Sequence, residues 1–181
     1  MVPMTLADEY QRVCTEPSDI FEHLPTFVRL VEELDAKTVI ELGTRSGVST
    51  IAWLFALHDR GHLFSVDVDP APEIGTYPHW TFLQGDDCSP EITEKLPGAA
   101  DIVFIDTSHE FEHTLRELNI YKWLLRPGGM LVLHDTELPH PENVFGRPFP
   151  VKRAIQEFCE AEGLEWVNDP KCWGLGQIRL P

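Results

Sequence analysis

The sequence predicts a doubly wound α/β sandwich: a mostly parallel seven-stranded sheet with an antiparallel last strand and helices on both faces. Three observations predict it. Short β-branched runs alternate with segments of helical period along most of the chain. A strand, a Gly-rich turn and a helix follow one another from Thr38 to Leu57, and an acid, Asp67, ends the next strand roughly 20 residues beyond the glycines. The two final strands are joined only by Pro170-Lys171-Cys172-Trp173-Gly174. A parallel crossover needs about a dozen residues, so that pair must be an antiparallel hairpin.

The elements follow in order. Residues 5 to 15 form a short helix with Leu6, Tyr10, Val13 and Cys14 on one face, and Pro17 ends it. Ser18 is expected to cap a second helix running to about Leu34, which Pro25 must break or restart. The first strand is Thr38 to Leu42, followed by a helix from Val48 to His58 and a strand from His62 to Val68. Residues 69 to 78 are too rich in Pro and Gly for a long helix. A third strand covers Trp80 to Gln84, and Ser89 opens a short helix to Leu96 with Pro90 in its first turn. Asp101 to Asp106 is apolar and β-branched, as suits a strand covered on both faces. A helix from Glu110 to Leu125 is stopped by Pro127-Gly128-Gly129, and a strand follows from Met130 to Asp135. After a Pro-rich loop from Thr136 to Phe149 come a helix from Val151 to Glu162 and strands at Leu164 to Val167 and Leu175 to Leu180. Trp53 and Trp123 are expected in the core. Phe145 and Phe149 are candidate walls of a substrate pocket.

Composition narrows the function. At 181 residues the chain is read as one domain, with helices over 1–36 and the α/β core over 37–181. The formal charge of −16, from 30 acids against 14 scattered bases, argues against a nucleic-acid partner and against anionic membranes. The N-terminus has neither the basic nor the apolar region of a secretory signal, and no apolar run reaches the roughly 18 residues of a membrane span. Cys14, Cys88, Cys159 and Cys172 show no C-x-x-C pairing and are read as free thiols, which suits the cytoplasm.

The chemistry centres on Glu41-Leu42-Gly43-Thr44-Arg45-Ser46-Gly47-Val48-Ser49. The glycines allow a sharp turn close to a ligand, and the helix start aims free N–H groups into the same space. The spacing differs from the G-x-G-x-x-G of dinucleotide sites. Glu-x-Gly-x-x-x-Gly resembles the first motif of class I S-adenosylmethionine-dependent methyltransferases, a Rossmann-like family. The resemblance implies that Glu41, Gly43, Thr44, Gly47 and Ser49 form the cofactor turn, that Asp67 binds the ribose, and that Asp86 or Asp87 lies near the adenine.

Acids gather at the carboxyl ends of the predicted strands: Glu41, Asp67, Asp86, Asp87, Asp106 and Asp135. Such a cluster needs a cation or hydrogen-bond donors to offset its repulsion. Asp106 and Asp135 would hold Mg²⁺ or another hard divalent ion if their strands are neighbours; without metal they would serve as hydrogen-bond partners of cofactor and substrate. Phe104 to His109, Leu118 to Gly129 and Val132 to Asp135 resemble metal-dependent small-molecule O-methyltransferases, especially the group with sugar and antibiotic O-methyltransferases and cephalosporin-hydroxylase-like proteins. This likeness covers residues 38 to 136. In catechol-type relatives an Asp after strand four and an Asp-Asn pair after strand five hold the metal. Asp106 and Asp135 match the acids, Thr136 stands where the Asn would be, and His134 is a further candidate ligand. His109 matches a general-base Lys of those relatives and is the candidate base, the alternative being a helix-start His on the surface. His113 is expected to be solvated, and His23 has no chemical context.

The expected activity is therefore methyl transfer from S-adenosylmethionine to a hydroxyl of a small molecule, with Mg²⁺ as a candidate second cofactor and a homodimer as a candidate assembly. Two rivals stay open: a cofactor-binding protein without turnover, and an oxidoreductase on the same fold.

Overall fold

The computed structural model describes residues 4–139 and 149–181. Seven strands form one sheet in the order β3-β2-β1-β4-β5-β7-β6. They are β1 (Thr38–Leu42), β2 (His62–Asp67), β3 (Trp80–Gln84), β4 (Ala100–Ile105), β5 (Leu125–His134), β6 (Trp166–Asp169) and β7 (Leu175–Arg179). All pairs from β3 to β5 are parallel, and β7 runs antiparallel between β5 and β6. Strand order reverses between β1 and β4, which opens a crevice beyond their carboxyl ends.

Helices α1 (Leu6–Thr15), α2 (Leu24–Leu34) and α3 (Val48–Leu57) cover one face. Helices α4 (Pro90–Thr93), α5 (Phe111–Tyr121) and α6 (Pro150–Glu162) lie on the other. The period of two in β4 feeds both cores: Ile102 and Phe104 pack toward α2 and α3, while Val103 and Ile105 pack toward α5 and α6. Helix α3 is apolar nearly all round because it lies between the sheet and the α1–α2 pair. Phe27 of α2 stacks on Trp53 of α3 with ring centroids 4.1 Å apart, so Trp53 is core as expected. Thr5 and Asp8 close a capping box at the start of α1.

The larger departures from the sequence reading lie at four places. Helix α2 begins at Leu24 behind a 3₁₀ turn, Phe21–His23, with Pro25 in its first turn; Ser18 does not cap it. The short helix is only Pro90–Thr93. The sixth strand starts two residues late, at Trp166. Helix α5 ends at Tyr121, and Leu125 instead opens β5, paired with Ala100. The apolar period continues through Leu124 and Leu125, but the Ala100 N–H donates to Leu124 O at 2.7 Å and draws the chain into the sheet. Trp123 therefore falls outside the helix and is 79% exposed, which corrects its expected place in the core.

Candidate active site

The turn after β1 is shaped by its contacts. Gly43 has φ +86°, and a Cβ there would sit 1.9 Å from Asp106 O, so only glycine lets β1 and β4 end side by side. Gly47, at φ +83°, precedes α3 and lies against Pro72 and Ile74. Asp67 locks the turn from β2. Its Oδ2 accepts from Thr44 N at 2.7 Å, Thr44 Oγ1 at 3.0 Å and Arg45 N at 3.1 Å, and its Oδ1 accepts from Asp69 N at 3.0 Å. Burial alone would raise the Asp67 pKa; these backbone donors outweigh it and lower the value.

Glu41 takes a different place from the one expected. By strand alternation it faces α3 and is fully buried. Its carboxylate accepts from Ser49 Oγ at 2.7 Å, Thr50 Oγ1 at 2.9 Å and Ser65 Oγ at 2.6 Å. It braces the turn from behind and does not line the cavity, which corrects its assignment as a cofactor contact. Gly47 also stands outside the cavity wall.

That cavity, of about 360 Å³, lies beyond the carboxyl ends of β1, β2 and β4. Gly43, Thr44, Ser49 and Asp67 form one side, and Asp86 and Asp87 line it with Asp106 and His109. A smaller recess of about 70 Å³ shares Thr44, Ser49 and Asp106 with it and is closed by Ser18, Asp19 and Ile20. The segment between α1 and α2 thus helps wall the site. Arg45 is tied to that segment by an ion pair with Asp19.

Asp106, His109 and Asp135 converge. His109 Nε2 lies 3.1 Å from Asp106 Oδ1 and 2.8 Å from Asp135 Oδ2. His109 and Asp135 reach these positions at φ +56° and +61°, a conformation that non-glycine residues adopt only where surroundings enforce it. Burial favours the neutral imidazole, but hydrogen bonds to Asp106 and Asp135 outweigh it and raise His109 to about 9. Asp106 and Asp135 are lowered, against burial, by the two histidines. His134 Nε2 lies 2.8 Å from Cys172 O and donates to it, and its buried Nδ1, 3.3 Å from Asp135 Oδ2, has no hydrogen-bond partner among the described residues. The two carboxylates fit a divalent cation, with the His134 Nδ1 beside them as a further candidate donor. Thr136 does not join them: its hydroxyl is turned toward β6 and donates to Asn168 Oδ1 at 2.6 Å. This corrects the expectation of Thr136 as a ligand, since the register of β7 puts Gly174 against that oxygen.

A profile described as "Methyltransferase domain" matches residues 40–136. The chain belongs to this methyltransferase-domain family. Rhamnosyl O-methyltransferase of Mycobacterium tuberculosis (strain H37Rv) is 28% identical over 159 residues, covering 80% of this chain and 62% of that one. The chain therefore spans about three fifths of such a relative's length. An O-methyltransferase from Bacillus cereus solved with SAH has a TM-score of 0.67 at 16% identity, covering 100% of this chain and 93% of that one. MycE of the mycinamycin biosynthetic pathway, solved with Mg, SAH and mycinamycin VI, has a TM-score of 0.71 at 17% identity, covering 98% and 55%. The two structural likenesses establish the methyltransferase fold.

Within this methyltransferase domain, sequence reasoning missed three features. His23 is fully buried, with Nε2 2.7 Å from Lys171 O. His113, expected to be solvated, lines the cavity and pairs with Asp87 at 3.1 Å. Glu117, fully buried one helical turn beyond His113, accepts from Thr107 Oγ1 at 2.7 Å. The i, i+4 spacing of His113 and Glu117 was the available signal. Phe149 lies under the Lys152 ammonium, whereas Phe145 is outside the described residues. All four cysteines are unpaired, and no helix among the described residues is long and apolar enough to cross a membrane.

Proposed function

We propose that the protein is an S-adenosylmethionine-dependent O-methyltransferase acting on a hydroxyl of a small molecule. The observation that carries the proposal is the continuity between the cavity at the glycine turn and the Asp106–His109–Asp135 cluster at its end. The family match supports the reaction type, and the name of the rhamnosyl relatives favours a sugar hydroxyl as acceptor.

In this reading Gly43, Thr44 and Ser49 seat the cofactor, and Asp86 and Asp87 face its adenine. Asp67 reaches the ribose with the lone pairs its backbone donors leave free. The cofactor supplies a sulfonium methyl group. Asp106 and Asp135 would hold a divalent cation, with Mg²⁺ suited to the carboxylates, and it would supply Lewis acidity to the acceptor hydroxyl. His109 Nε2, held between Asp106 and Asp135, is the group that would take the acceptor proton. Alignment of acceptor and methyl donor in one cavity supplies much of the acceleration.

Calorimetry of S-adenosylmethionine binding, first in EDTA and then with Mg²⁺, tests the reading. Binding is expected, weakened by Asp67→Ala, with a Mg²⁺ response that Asp135→Ala abolishes. Methyl transfer to a panel of sugar and aromatic hydroxyls tests turnover. Absence of cofactor binding under both conditions refutes the proposal, and binding without turnover on any acceptor favours a non-catalytic binder.

A further inference from the structure

A second convergent cluster lies at the far side of the cavity, where the loop after β3 meets α5. Asp87, Cys88 and His113 bring one donor atom each within 4.8 Å of one another. His113 Nε2 is 3.1 Å from Asp87 Oδ1 and 3.6 Å from Glu117 Oε1. Both carboxylates are inside the protein, Asp87 8% exposed and Glu117 0%. Asp87 Oδ1 and Glu117 Oε2 have no hydrogen-bond partner among the described residues. Apart from the His113 ion pair, two buried carboxyl groups this close are costly unless a proton or a cation stands between them.

The spacing fits a metal ion. Oxygen and nitrogen ligands about 2.1 Å from a tetrahedral Zn²⁺ lie about 3.4 Å apart, and the two measured separations bracket that value. The cluster is also held in place from outside. Tyr121 donates to Asp87 O at 2.8 Å, and the Thr107 hydroxyl orients the Glu117 carboxylate at 2.7 Å.

We propose that Asp87, Cys88 and His113, with the Glu117 carboxylate beside them, form a second metal site, selective for a borderline transition ion such as Zn²⁺ over Mg²⁺. Imidazole and thiolate donors set that preference, in contrast to the carboxylate pair at Asp106 and Asp135. Binding releases the Cys88 thiol proton and any proton shared by the carboxyl groups. Asp87 and His113 also line the cavity, so the ion enters from it. Asp87 is shared with the methyltransferase reading, in which it faces the adenine, whereas Cys88 and His113 have no part in that reading.

The test uses the full chain carrying Asp135→Asn, which disables the other cluster. Titration with Zn²⁺ by calorimetry is expected to show one equivalent, lost on adding His113→Ala. Co²⁺ is expected to give the intense visible bands of a tetrahedral ion and a near-ultraviolet thiolate charge-transfer band. Cys88→Ser, a change of one atom that the fold should tolerate, is expected to remove the charge-transfer band. Absence of a Zn²⁺ equivalent in the Asp135→Asn chain, or one that His113→Ala leaves unweakened, overturns the site and leaves protons to satisfy the cluster. A charge-transfer band that persists in Cys88→Ser overturns the assigned ligand set.

Discussion

Replacing Glu41 with Gln should make the protein less sensitive to alkaline pH. Glu41 is fully buried between β1 and α3, and burial, helped by the negative charge of Asp106, raises its pKa to about 7 although three hydroxyls stabilise the anion. The unfolded reference is 4.5. Between these values the folded state holds a proton that the unfolded state has lost, so stability is fully present below the lower value and declines as pH rises through the upper one. At about 1.4 kcal/mol per unit, the shift amounts to roughly 3 kcal/mol of stability lost by pH ~8.5. Gln keeps the shape and one acceptor oxygen without the charge, and the Ser49, Thr50 and Ser65 hydroxyls can rotate to accept from its amide. Urea unfolding of both proteins, followed by tryptophan fluorescence from pH ~5 to ~8.5, isolates this group because other titrations cancel in the difference. The two should be close in stability at the acid end and diverge in favour of Glu41→Gln toward the alkaline end. Parallel curves across the range would mean that the hydroxyls keep Glu41 ionised throughout, and the argument from burial would fail.

Other substitutions test the frame around the site. Gly43→Ala forces a Cβ against Asp106 O at a positive φ, and should cost at least about 2 kcal/mol in urea unfolding while weakening cofactor binding. Asp101 Oδ2 accepts from Lys37 N at 2.7 Å and Thr38 N at 2.8 Å, while its Oδ1 pairs with Arg126; Asp101→Ala should cost about 3 kcal/mol and lower the melting temperature accordingly. Trp53→Ala empties a space stacked on Phe27 and should cost about 3–5 kcal/mol, whereas Trp123→Ala should stay within about 0.5 kcal/mol; equal losses in denaturant titrations would return Trp123 to the core.

Local pattern was enough for much of this protein. The β-branched runs ended by acids, the glycine turn and the short connection before Leu175 determined the strands, their mostly parallel arrangement and the antiparallel β7. They also put Gly43, Thr44, Asp67, Asp86, Asp87, Asp106 and Asp135 on one rim, because doubly wound connections carry all parallel strand ends to the same side. What each side chain does there was decided by contacts distant in sequence. Periodicity assigns Glu41 to a face of β1, but only the packing of α3 and β2 turns it toward three hydroxyls. Thr136 follows Asp135 directly, yet the register of β6 and β7 gives its hydroxyl to Asn168. Helix α5 ends where Ala100 captures Leu124 O, against the local apolar pattern. His113 and Glu117 look like a solvated helix pair until the loop after β3 closes over them. Side-chain period is a property of the local chain; partners, burial and the charge states that follow arise when remote segments meet, and that is where this site acquires its chemistry.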